Sequence, residues 1–161
     1  MIRTSFAWIG ALAFLAGCQT AYDNAYKAET ERLEQERAAQ QAQESAAHAE
    51  ASRFAAVVYF QTGSAALGPD AITQLNWFVE KMAAYPQATF DVQGFADSTG
   101  SESTNQRLSD QRAQAVSQYL QSQGVAQNRI YAASFSTSSP AATNATAAGR
   151  KDNRRVEITV R

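Results

Sequence analysis

The hydrophobic and polar positions change rhythm twice along the chain. Phe6 to Leu15 form a short run without charge, too brief to span a bilayer. From Gln19 to Arg53 apolar side chains are sparse: Tyr22, Tyr26 and Leu33 lie at spacings of four and seven, and no strong heptad continues beyond them. That segment holds ten alanines among Glu, Gln and Arg, and neither Gly nor Pro. Its composition predicts a solvated spacer helix of about 50 Å, with an alanine-seamed coiled coil as the alternative.

Beyond residue 54 the rhythm becomes that of alternating strands and helices, and all three prolines and six of the eight glycines fall there. Ala56 to Phe60 is a β-branched and aromatic run. Pro69 and Asp70 open a helix in which Ala71, Leu75, Phe78 and Met82, with Ile72 and Val79 beside them, make an apolar face that ends before Pro86. Phe90, Val92 and Gly94 alternate with Thr89, Asp91 and Gln93, as in a half-buried strand. After a loop over 95–104, a second helix starts with Ser103 and Gln106 at capping-box spacing and stops at Gly124. Ile130 to Phe135 reads as a third strand, and Val156, Ile158 and Val160 as the buried side of a last one. The Ala- and Thr-rich stretch 140–149 predicts a mobile loop. The resulting order is βαβαββ, an α+β sandwich with helices on one face of a mixed sheet, preceded by a helical tether. The boundaries fall at 1–17, 18–53 and 54–161.

Fourteen basic residues against fifteen acidic give a net charge of -1, without the basic excess that drives phosphate-backbone binding, so no nucleic acid partner is expected. One cysteine and one histidine exclude a disulfide framework and a Cys/His zinc site within the chain. No metal or cofactor is expected, and His48 reads as a surface residue of the tether. The stretch from 54 onward has no His and no Cys, which removes the usual base and thiol of a wall hydrolase. Asp91 and Asp97 are the only suggestion of an acid dyad, but Asp91 alternates opposite Phe90 and Val92 while Asp97 lies past the strand. A shared site is not indicated, and the chain is not read as an enzyme.

One residue breaks the pattern of the second helix. At 100° per residue Asn105, Leu108, Arg112, Val116 and Tyr119 fall within one sector of about 80°, which sets Arg112 in the stripe facing the protein. A guanidinium stranded there costs several kcal/mol, so it must be paired or aimed at an anionic ligand. Asp97, at the exit of the preceding strand, is the nearest carboxylate by topology, and the two can flank one shallow cleft.

These residues also carry a resemblance. Gly94-Phe95-Ala96-Asp97, continued by Ser98-Thr99-Gly100, resembles the Gly-His-Thr-Asp of OmpA-like peptidoglycan-binding domains. Asn105, Leu108-Ser109 and Arg112-Ala113 resemble their Asn-x-x-Leu-Ser-x-x-Arg-Ala signature, and Asn153-Arg154-Arg155-Val156-Glu157 resembles their closing motif. The resemblance spans residues 54–161. It implies that Asp97 accepts the ammonium of meso-diaminopimelate in a peptidoglycan stem peptide and Arg112 holds its carboxylate. It also implies hydrogen bonds from Asn105 and Thr99, a floor at Leu108 and an edge at Arg154. Three positions depart from the pattern: Phe95 for His, Gly63 for Asn, and Ser134 for Gly.

Arg3, the uncharged run and Leu15-Ala16-Gly17-Cys18 resemble the signal peptide and lipobox of bacterial lipoproteins. That implies acylation of Cys18, and Gln19 in place of an Asp implies the outer membrane, with the domain in the periplasm. The partners so implied are peptidoglycan, the membrane through Cys18, and other envelope proteins. The alternative is an envelope-docking lipoprotein in which Asp97 and Arg112 form a structural ion pair.

Overall fold

A computed structural model describes the backbone of residues 6–161 and the side chains from residue 20 onward. Residues 1–5 and the side chains of 6–19, hence much of the lipobox reading, the Cys18 thiol and the Gln19 side chain, lie outside the described residues. The chain divides into two units, Met1–Ser45 and Ala46–Arg161. The division falls within a single helix, α1 (Phe6–Ala51). In the first unit every described side chain is exposed, as the scarcity of apolar residues predicts, and Arg32 pairs with Glu36 one turn on at 2.9 Å. No described helix is long and apolar enough to cross a membrane.

The second unit takes in the end of α1, where Ala51 is buried in the core. It continues through β1 (Ala55–Tyr59), α2 (Pro69–Met82), β2 (Phe90–Gly94), α3 (Glu102–Ser122), a 3-10 turn (Gln127–Arg129), β3 (Ile130–Ser134), α4 (Ala147–Asn153) and β4 (Arg155–Val160). The strands form one mixed sheet in the order β1-β4-β2-β3. β4 runs antiparallel to both β1 and β2, whereas β2 and β3 are parallel and are joined through α3, the crossover that parallel neighbours require.

Alternation sets the core. Val58, Phe90, Val92, Val156 and Ile158 point to one face of the sheet and are buried against Leu75 and Phe78 of α2 and Val116 and Leu120 of α3. Each such side chain contributes about 1.5–3 kcal/mol on burial. The Phe78 and Phe90 rings meet edge to face, 5.3 Å apart. Ala71, Leu75, Phe78 and Met82 are the buried residues of α2, while Ile72 turns outward. The opposite sheet face keeps Val57, Tyr59 and Tyr131 exposed.

Two local expectations are corrected. α3 begins at Glu102 with Ser101 as its cap, its hydroxyl accepting from the Thr104 amide at 3.2 Å. Ser101 has the extended backbone a cap requires, so the helix starts before the Ser103–Gln106 spacing suggests. The stretch expected to be a mobile loop instead leads into α4, capped by Thr146 through the Gly149 amide. A Cβ on Gly149 would collide with the Thr143 carbonyl, so this close turn depends on glycine. Gly94 is under the same constraint: a Cβ there would strike the Ser109 carbonyl where α3 lies against β2.

Candidate functional site

Beyond β2 the backbone stays tied to its neighbours. Phe95 donates its amide to the Arg155 carbonyl at 2.9 Å, and Ala96 donates to that of Ser136 at 2.7 Å. This delivers Asp97, 4% exposed, to the head of the sheet beside the loop that leads into α3. Its Oδ2 accepts from Nη1 of Arg154 at 2.8 Å, and its Oδ1 accepts from the Thr99 amide at 2.9 Å. Burial pushes this carboxyl up, but the Arg154 contact and the Thr99 hydrogen bonds outweigh it and hold the group below the ordinary aspartate value. It is ionised at neutral pH.

Arg112 lies on the inner face of α3 and is fully buried. Its Nε donates to the Ser64 carbonyl at 3.0 Å, Nη1 to that of Phe95 at 3.0 Å, and Nη2 to that of Gln61 at 3.2 Å. The guanidinium also lies 5.3 Å from the centre of the Phe60 ring, a cation–π contact. Sequence reasoning allowed it a carboxylate or a ligand; its hydrogen-bond partners within the chain are three backbone carbonyls. Burial lowers its pKa to about 10, with Asp97 working the other way and Arg154 adding to the fall, so it remains a cation at pH 7. Among the described residues the ion-pair partner of Asp97 is Arg154 and not Arg112.

The remaining site residues divide accordingly. Thr99 and Arg154 are brought directly to Asp97. Asn105 and Leu108 share the α3 face with Arg112: Leu108 is half-buried, while Asn105 is buried and its carboxamide has no hydrogen-bond partner among the described residues. No bond joins either one to Asp97.

The three departures from the resembled pattern have structural accounts. Gly63 takes φ +66, a left-handed conformation reached most easily by Gly and next by Asn, so the turn presenting the Gln61 and Ser64 carbonyls to Arg112 is kept. Phe95 stacks between Phe135, 5.5 Å away, and the Arg155 guanidinium, 4.0 Å from its ring centre. Ser134 accepts a hydrogen bond from Gln106 of α3 at 2.6 Å.

Sequence reasoning gave no role to Asn153 or Asn144. Asn153, fully buried, accepts from the Ala142 amide at 3.0 Å and donates to the Ala142 carbonyl at 2.8 Å and to Oδ1 of Asn144 at 2.9 Å. That same Oδ1 takes the Ser98 amide at 3.1 Å. The two asparagines thus brace the residue next to Asp97. The signal was present: Asn153 opens the closing motif, immediately before Arg154.

A carboxylate, Asp97, and two guanidinium groups, those of Arg154 and Arg112, come together at the head of the mixed sheet. No described cluster of His, Cys, Asp and Glu is placed to hold a metal. Residues 59–154 match the OmpA family, and the chain belongs to that family. It is 41% identical over 103 residues to the "Probable lipoprotein YiaD" of Escherichia coli (strain K12), covering 64% of this chain and 47% of the relative. It is 42% identical over 103 residues to the "Peptidoglycan-binding protein ArfA" of Mycobacterium tuberculosis (strain ATCC 25618 / H37Rv), with 64% and 32% covered. The chain therefore spans less than half the length of either relative. Among solved structures, the peptidoglycan-associated lipoprotein from Burkholderia pseudomallei superposes with a TM-score of 0.63 at 26% identity, covering 66% of this chain and 90% of that one. The C-terminal domain of Helicobacter pylori MotB gives 0.61 at 26% identity, with 65% and 83% covered. The segment that matches this family is a structural, non-enzymatic domain.

Proposed function

We propose that this chain is an envelope lipoprotein whose globular unit binds peptidoglycan non-covalently through the meso-diaminopimelate of its stem peptides, while an acylated Cys18 holds it to the outer membrane from the periplasmic side. The observation that carries the reading is the ionised Asp97, held by Arg154 through one oxygen and by the Thr99 amide through the other, set beside Arg154 and Arg112. The side-chain end of diaminopimelate is an ammonium and a carboxylate on one carbon, and a site with one acid and two guanidinium groups complements it. A carboxylate oxygen accepts more than one hydrogen bond, so Asp97 can take the ammonium without releasing Arg154 or Thr99. Arg112 has one unspent hydrogen on each Nη for the ligand carboxylate, reached once the Gln61–Ser64 turn moves aside. Asn105 offers its unpartnered carboxamide, Thr99 its hydroxyl, and Leu108 an apolar floor.

The names of the relatives support the wall ligand and the lipid anchor. Charge-assisted contacts of about 1.5–3 kcal/mol each, less the ordering cost, make each site modest in strength. Several acyl chains, at about 0.8 kcal/mol per buried methylene, make the anchor firm. Many anchored copies facing one wall then multiply the grip.

The competing reading, a protein-docking lipoprotein whose site charges are structural, draws support from the burial of Arg112. Co-sedimentation of the full chain with purified sacculi separates the two. Asp97→Asn keeps the shape and removes the charge: we expect the variant to stay in the supernatant with an unchanged circular dichroism spectrum. Sedimentation equal to that of the unaltered protein would remove the proposed site.

A further inference from the structure

A cleft of about 420 Å³ lies next to this site, with Phe60, Gln61, Ser64, Asp70, Lys151 and Arg154 in its lining. Asp97, Thr99, Asn105, Leu108 and Arg112 are not part of that lining, so the cleft is a separate space that shares a wall with the site. The sharing is specific. Gln61 and Ser64 give their carbonyls to Arg112 and also border the cleft. Arg154 joins the two directly: Nη1 holds Asp97 and Nε donates to the Phe60 carbonyl at 3.1 Å. Its Nη2 has no hydrogen-bond partner among the described residues.

Lys151, three residues earlier on α4, is exposed and makes no ion pair with any described residue. Lys151 lies within α4 and Arg154 is its C-terminal cap, so one short helix carries both cations. Against them stands one acidic lining residue, Asp70, in the first turn of α2, where the amide dipoles partly offset its charge. The cleft is therefore a cationic annex, reached from Asp97 along the length of one guanidinium.

We propose that this annex holds the free α-carboxylate of the γ-linked glutamate preceding diaminopimelate in the stem peptide, with Lys151 and Nη2 of Arg154 as its partners. The inference rests on the diaminopimelate reading and deepens it. The peptide chain runs through the glutamate side chain, which leaves the α-carboxylate pendant one residue from the group that Asp97 holds. A ligand seated at Asp97 and extending past Arg154 brings that carboxylate to the cations of the cleft. Lys151 then discriminates between stem peptides that keep this carboxyl as an acid and those that carry it as an amide.

The test is calorimetric titration of the full chain with two synthetic tripeptides, L-Ala-γ-D-Glu-meso-diaminopimelate and the same peptide with the glutamate α-carboxyl amidated. The two have the same shape and differ by one charge. The unaltered protein should bind the acid form about fivefold more tightly, the range of a partly exposed ion pair, and the preference should shrink as salt is raised. In Lys151→Ala the acid form should fall to the affinity of the amide. Equal affinity for both peptides in the unaltered protein, or a preference that survives Lys151→Ala, overturns the annex while leaving the Asp97 site standing. Failure of both peptides to bind, or binding undiminished in Asp97→Asn, overturns the diaminopimelate reading and the annex with it.

Discussion

Arg112 is a guanidinium placed where a leucine would ordinarily sit. Its three carbonyl partners come from two segments, the turn after β1 and the end of β2, so it knits the loop that walls the site to the strand that delivers Asp97. Removing it leaves those carbonyls unpaired and opens a void under Phe60. We expect Arg112→Ala to lower stability by about 3–5 kcal/mol in urea unfolding. Arg112→Lys should recover only part of this, since one ammonium cannot span the three acceptors. A loss below about 1 kcal/mol would mean that the carbonyl network is not a principal support.

At this scale the sequence was partly legible. The helical angle of Arg112 disclosed that it faced inward, and topology disclosed that Asp97 lay close by. Which partner each charge takes depends on loop paths far apart in sequence. Asp97 meets Arg154 across 57 positions, and Arg112 meets Gln61 across 51; spacing along one helix says nothing about either.

Elements with a clear period were legible, and those held by capping were not. β2, β4 and α2 follow the alternation and the 3.6-residue repeat of their apolar side chains, because the core that buries them is the same force that shaped the pattern. α4 is seven residues long and has no apolar stripe. It is held by a threonine cap, a glycine contact and the Asn153 brace, none of which leaves a period to read. That brace yields a prediction for the element as a unit. Asn153→Ala frees both polar groups of Ala142 and releases Asn144, which in turn holds Ser98. Three lost hydrogen bonds at about 1 kcal/mol each should lower stability by about 2–3 kcal/mol. Amide exchange should rise first over 141–146 and at Ser98. Exchange unchanged at Ser98 would show that the brace does not reach the site.

Across the whole molecule, glycine, proline and apolar content shift near residue 54. The break between the compact units falls earlier, at Ser45–Ala46, because Ala51 near the end of α1 packs into the core and composition does not record that. The anchor belongs to this scale as well. Under the proposal, labelled palmitate should be incorporated into the unaltered chain and not into Cys18→Ser, and that variant should leave the membrane fraction. Labelling that persists in Cys18→Ser would contradict acylation at that residue.

The central claim is that an ionised aspartate at the head of the sheet receives the ammonium of a wall amino acid. A crystal structure of the protein with the diaminopimelate-containing tripeptide tests it most directly. The account predicts that ammonium about 3 Å from an Asp97 oxygen, with the adjoining carboxylate turned towards Arg112. Density for the tripeptide elsewhere, with Asp97 still closed on Arg154 and Thr99 alone, would contradict it.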